Sequence, residues 1–244
     1  MALVKPTCFI YVNVLFLNIN LAMRIHPIPF TFLLCLFSYT SFSQSNNGVA
    51  LQLRSGKIFT EKNITIEKIK TFTEGLQKVN GKSFAVLQFE LLPSEEKKKE
   101  LAAAGIQLLD YIPGNAYSLC ITKNIDPAIL QKIGARSIFE LSPQQKMHPS
   151  MAKGIFPSWA IRTPGMVDVW ISFPKTISFS EIESLLRSKN IEITSTQYSK
   201  YHVIGLRIIR NRLNEIASFP FIEYIEPAPH GDQPLNYESR NNSK

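Results

Sequence analysis

The chain has 244 residues, a net charge of +8, 45% apolar residues and 19% charged ones. That is the composition of a folded protein, not of a disordered, collagenous or coiled-coil chain. The basic excess is spread along the sequence, which argues against the clustered Lys/Arg footprint of a nucleic-acid binder.

The first 43 residues contain Lys5 and Arg24 and no acid. Met23-Arg24 opens a short basic region, and PFTFLLCLF is an apolar run of signal-peptide length, too short to span a bilayer. Ser41-Phe42-Ser43 then puts small residues at −3 and −1 of a cut between Ser43 and Gln44. Residues 1–43 therefore read as an export leader, with Met23 as its start and 1–22 as an upstream extension. A longer signal, or a membrane anchor using both apolar runs, is the alternative. The expected location is secreted, extracellular or periplasmic, with membrane contact only through an uncleaved leader. Cys8 and Cys35 fall in this leader. Cys120 alone remains, inside an apolar strand, so it reads as a buried thiol and not as part of a disulfide framework.

From Gln44, VALQL and KIFTE around Arg54-Ser55-Gly56-Lys57 predict a hairpin. Ile66, Ile69, Phe72 and Leu76 predict a helix after it. Residues 44–81 are read as an extension capping the domain that begins at residue 82.

From Ser83 onward the chain states one pattern twice. Strand-like SFAVLQFELL comes first, then helix SEEKKKELAAAG, strands IQLLDYI and AYSLCI, helix DPAILQKIG and strand SIFEL. About 84 residues later come VDVWISF, SFSEIESLLRSKN, IEITSTQY, HVIGLRI, NRLNEIAS and FIEYIE in the same order. A duplicated β-α-β-β-α-β pattern predicts an α+β protein of two tandem ferredoxin-like domains, 82–142 and 166–227, each a four-stranded antiparallel sheet with both helices on one face. The helix ends agree by chemistry. Ser178 with Glu181 makes a capping box, and Ser94 precedes Glu95 and Glu96. Asp126-Pro127 starts a helix, with Asn211 as its expected counterpart cap. Gly105 and Asn190 stand at left-handed stops. Between the repeats, residues 143–165 read as a Pro-rich connector packing through Ile155, Phe156 and Trp159, and 228–244 as an extended tail.

Alternation in the second repeat sends Val167, Val169, Ile171 and Phe173 toward the helices, with Ile204, Leu206 and Ile208. Trp170, Val203, Gly205 and Arg207 then face outward, joined by Thr194, Thr196 and Tyr198. Such a face suits an interaction surface, unless the first repeat or the connector covers it.

Motifs for catalysis are absent: no H-E-x-x-H, C-x-x-C, P-loop, G-x-G-x-x-G or G-x-S-x-G occurs, and His148, His202 and His230 stand apart. The third strands lack the aromatic signature of an RNA-recognition sheet. No catalytic residue, cofactor or metal is expected.

FPFIEYIEPAPH, Phe219 to His230, resembles the end of the subtilisin propeptide and proteinase-inhibitor fold, whose last strand reads roughly V-x-Y-V-E-x-D. Tyr224, Ile225 and Glu226 match, while Ala228 stands where that family often has an acid. LRSGKIF, GKSFAVLQF and LLDYIPGNAYSLCI (Leu108 to Ile121) are similar to the N-terminal region of secreted bacterial subtilisin-like serine peptidases. The resemblance spans most of Gln44 to His230. The subtilase motifs D-[ST]-G, H-G-T and G-T-S-x-[AS] are absent, so it implies a pro-region that assists folding of, and inhibits, a subtilisin-like peptidase in cis or in trans. By that resemblance the sheet face of the second repeat would lie on two peptidase helices, through Trp170, Tyr198, Val203 and Arg207. Glu226 would meet a helix N-terminus, and the segment from Pro227 through His230 would enter the substrate cleft. The first repeat would be a structural or docking copy. The alternative is an exported ferredoxin-like binding or self-assembly module with no link to peptidases.

Overall fold

The computed structural model describes residues 48–62 and 64–230. The leader, with the expected cut at Ser43 and Gln44, and the tail beyond His230 lie outside the described residues. A hairpin comes first, β1 (Val49–Leu53) and β2 (Gly56–Thr60), then helix α1 (Ile66–Gly75). Leu53 pairs with Gly56, so the turn tightens to Arg54 and Ser55. The first repeat is β3 (Ser83–Phe89), α2 (Glu95–Ala103), β4 (Ile106–Ile112), β5 (Ala116–Ile121), α3 (Pro127–Lys132) and β6 (Ala135–Phe139). The connector holds one turn of helix, α4 (Pro149–Ala152). The second repeat is β7 (Met166–Ser172), α5 (Phe179–Ser188), β8 (Glu192–Ser195), β9 (Val203–Ile209), α6 (Leu213–Ser218) and β10 (Tyr224–Pro227).

The two sheets run β4-β5-β3-β6 and β8-β9-β7-β10, antiparallel throughout. In each, the first and third strands of the repeat lie at the centre. This is the ferredoxin-like βαββαβ order, and the α+β class expected from the duplicated pattern holds.

Local chemistry explains the element ends. Ser178 and Glu181 satisfy each other's backbone amides in a complete capping box. Ser94 and Asp126 cap α2 and α3. Gly105 at φ 82° and Asn190 at φ 55° end α2 and α5 in the left-handed region, which Gly adopts freely and Asn tolerates. Ile106 and Ile191 are buried just beyond. The counterpart of Asp126 differs from expectation. A 3-10 turn, Arg210–Arg212, leads into α6, and Asn211 caps nothing. The Arg212 guanidinium instead binds Glu215 and the Lys189 carbonyl.

Each repeat has its own core between sheet and helices. Ala85, Leu87 and Phe89 meet Leu101, Leu119 and Leu130 in the first. Val167, Val169, Ile171 and Phe173 meet Ile182, Leu186, Leu206 and Ile216 in the second. Ile69 and Leu76 bring α1 onto the first core, while Ile66 remains exposed.

The connector packs through residues other than those expected. Met147, Met151 and Ala160 are buried in the second core, whereas Ile155 and Trp159 are 61% and 46% exposed and only Phe156 is partly buried against it. Met147 forms a parallel bridge to Ile225, with His148 N–H on the Ile225 carbonyl (2.8 Å) and Ile225 N–H on the Lys146 carbonyl (2.7 Å). The connector thus satisfies backbone groups at the edge strand β10 that would otherwise invite pairing with another chain.

Candidate functional site

The outer faces of the two sheets have different fates. The first is covered by the chain itself. Leu51 of the hairpin is fully buried against Val86 and Ala116. Gln88, also buried, fixes the hairpin on the sheet, accepting from the Thr60 and Ser137 hydroxyls and donating to the Gly114 carbonyl. Gly114 is required there: its φ is 110°, and a Cβ would stand 2.3 Å from the Ala50 carbonyl oxygen. Further along this face, Phe84 packs against the core of the second repeat, and Lys82 Nζ donates to the Thr176 carbonyl at 2.6 Å. Cys120 is buried in this region, and burial pushes its thiol up.

The outer face of the second sheet is covered only at its ends. At one end Asp168 is 7% exposed under two guanidiniums. Arg207 holds it with Nε to Oδ1 at 2.8 Å and a second N–H to Oδ2 at 3.0 Å, while Arg162 of the connector donates to Oδ2 at 3.0 Å. Burial opposes ionisation of Asp168, but the hydrogen bonds from Arg207 and Arg162 outweigh it and hold the carboxyl below its usual range. At the other end Tyr224 lies beneath Arg54 of the hairpin turn, 5.4 Å from guanidinium to ring centre. Burial, reinforced by the Glu226 carboxylate, raises the Tyr224 phenol.

Between these ends lies a partly exposed stretch. Trp170 is opposite Gly205 on β9 and Glu226 on β10, and its indole meets the ring of Tyr198 at 5.1 Å. Val203 and Arg207 project on the same side. Trp170, Tyr198, Val203, Arg207 and Glu226 therefore share one face, although β8 stops at Ser195 and Tyr198 reaches the indole from the turn after it. Thr196 also lies past the end of the strand. Pro227 continues β10 opposite Val169, and the chain is then pinned by Ala228 N–H on the Asp168 carbonyl and the Trp159 indole N–H on the Ala228 carbonyl. His230 stands apart from the face, its ring 5.6 Å from that of Trp159.

A feature with no motif in the sequence lies between the repeats. The outer face of β3, the hairpin turn, β4, the segment after β6, the start of the connector and the start of β10 line a cavity of about 300 Å³ that is half open to solvent. Its apolar lining includes Phe84, Val86, Ile222 and Tyr224. Its charged groups are Arg54, Asp110, Glu140, Lys146 and Glu223. Asp110 is paired with Lys175 at 2.6 Å, and Lys146 Nζ donates to the Phe219 carbonyl at 3.2 Å. The carboxyls of Glu140 and Glu223 make no hydrogen bond or close ion pair with a described residue. Burial, and then the Asp110 carboxylate, push Glu223 up to about 7 against Lys175, Arg54 and Lys146. Burial lowers Lys146 to about 8, opposed by Glu140 and Glu223. The one sequence signal was an acid set in an apolar run, Phe221-Ile222-Glu223-Tyr224-Ile225. Among the described residues no group of His, Cys, Asp and Glu could hold a metal ion.

The sequence model of one family, described as a domain of unknown function (DUF8729), matches residues 52–142. That span takes in most of the hairpin, α1 and the whole first repeat. No curated protein matches the chain, and no solved structure does.

Proposed function

We propose that the chain is a secreted, non-catalytic, propeptide-like module that binds a subtilisin-like serine peptidase through the outer face of its second sheet, helping it fold and restraining it. The observation that carries this reading is the asymmetry of the two faces. The first sheet is covered by the chain's own hairpin and second repeat, while the second leaves Tyr198 exposed and Trp170 half-buried beside it between ordered ends. Paired aromatics beside an Arg held in a fixed geometry are the residue types that anchor protein interfaces. The choice of a peptidase as partner rests on the resemblance of Phe219 to His230 and Leu108 to Ile121. The face and the last strand belong to one surface, so a partner lying on Trp170 also meets Glu226 and the start of the tail.

The test adds the full-length chain to the subtilisin-like peptidase encoded in the same or a neighbouring reading frame. Slow, tight inhibition at micromolar concentration is expected. Trp170→Asp and Tyr198→Asp should each weaken it at least tenfold, while Ser184→Asp, exposed on α5 on the far side of the same sheet, leaves it unchanged. Circular dichroism confirms that the variants fold. Absence of inhibition, or equal effects of the three substitutions, refutes the reading.

A further inference from the structure

We propose that the cavity between the two repeats is a binding site for a small amphipathic organic cation, an amine carried on an apolar or aromatic body. This site is separate from the surface centred on Trp170 and does not depend on a peptidase partner. The cavity, about 300 Å³, is at the lower end of the range that holds small ligands, and it occupies a junction between domains, where such sites concentrate. Phe84, Val86 and Ile222 offer an apolar floor, with the Tyr224 ring at one side.

The one half-buried carboxyl without a hydrogen bond selects the ligand. Each cation near the cavity already has a partner: Arg54 lies over Tyr224, Lys146 is bound to the Phe219 carbonyl and Lys175 is paired with Asp110. The acids at the cavity without a hydrogen bond are Glu140, which is exposed to solvent, and Glu223, which is half-buried. An ammonium placed beside Glu223 gains a charge-assisted hydrogen bond from a carboxyl that makes none within the protein. That contact supplies the hydrogen-bond donor that the half-buried Glu223 carboxyl lacks, beyond the longer-range charges of Arg54, Lys146 and Lys175.

Binding is therefore coupled to protons. The groups facing Glu223 are Arg54 of the hairpin turn, Asp110 of β4, Glu140 just after β6, Lys146 of the connector and Lys175 of the loop after β7. Around neutral pH the Glu223 carboxyl carries a proton in part of the population. A protonated amine entering the cavity displaces that proton to solvent, leaving an ammonium–carboxylate pair with no change in the amine itself. Affinity should rise with pH from about 6 to about 8, flattening once Glu223 is ionised in the free protein.

The experiment is isothermal titration calorimetry of the full-length chain with phenethylamine, its neutral counterpart 2-phenylethanol and the anion 3-phenylpropionate. The expected result is that the amine binds at least tenfold more tightly than either, with proton release seen as a dependence on buffer ionisation enthalpy. Glu223→Gln should reduce amine affinity at least tenfold and remove the rise in affinity between about pH 6 and about pH 7, below the range where Lys146 titrates, while Glu67→Gln on the exposed side of α1 leaves both unchanged. Equal or tighter binding of the alcohol or the anion, unchanged affinity in Glu223→Gln, or no binding of the amine up to about 5 mM overturns the proposal.

Discussion

Replacing Glu223 by Gln should stabilise the protein, and only in neutral to alkaline solution. The carboxyl titrates at about 7 in the folded chain against an ordinary value of 4.5. The fold therefore favours its protonated form. That contribution is fully present below about pH 4.5 and is lost as pH rises to about 7, where a half-buried charge must be carried. At 1.36 kcal/mol per pKa unit, ionisation removes about 3 kcal/mol near pH 8 and under about 1 kcal/mol near pH 5. Glutamine has the shape of the protonated acid and cannot ionise, so Glu223→Gln should recover most of that difference. For a chain of this size it corresponds to a rise in Tm of roughly 6–12 °C near pH 8 and little change near pH 5. Lys146 works in the opposite direction. Its depressed value of about 8, against 10.5, makes stability increase with pH only above about 8, so the comparison stays at or below that pH. Urea titration at the two pH values measures both free energies. The same ΔΔG at both, or destabilisation near pH 8, would refute the claim that Glu223 is a half-buried carboxyl without a hydrogen-bond partner.

Two further substitutions test the surroundings of the exposed face. Asp168→Asn removes the charge shared by Arg207 and Arg162 and should cost about 1–3 kcal/mol at neutral pH. Because the folded carboxyl titrates below its ordinary value of 3.8, the contribution is present above that value and disappears as pH falls through the lower folded one; denaturation curves for the two proteins should converge in strong acid. Gly205→Ala places a Cβ 2.9 Å from the Thr194 hydroxyl and 3.1 Å from the Ser195 Cβ. A loss of about 1–3 kcal/mol is expected in a thermal melt, and an unchanged Tm would mean that β8 yields easily.

Much of the architecture was legible because it is local. Ser178, Asp126, Gly105 and Asn190 act on backbone groups within a few residues of themselves, and strict alternation along Val167–Phe173 names the buried side without reference to any other segment. Where such chemistry was ambiguous the reading failed. Asn211 is a good cap type, but the Arg212–Glu215 pair and a 3-10 turn took its place. Ile155 and Trp159 are large apolar residues in a short irregular connector, where no periodicity distinguishes them from Met147 and Met151, the ones that are buried.

The duplicated pattern determined two antiparallel sheets, each with helices on one side, because strand and helix periods are properties of the chain itself. It could not tell the two outer faces apart, since alternation marks both equally. That was decided when Leu51 closed over Val86 and Gln88 fixed the hairpin, contacts between residues far apart in the chain. The cavity is likewise a product of tertiary structure alone. Hairpin turn, first sheet, connector and last strand bring their charges together there, and only desolvation at that junction moves Glu223 and Lys146 toward neutral pH.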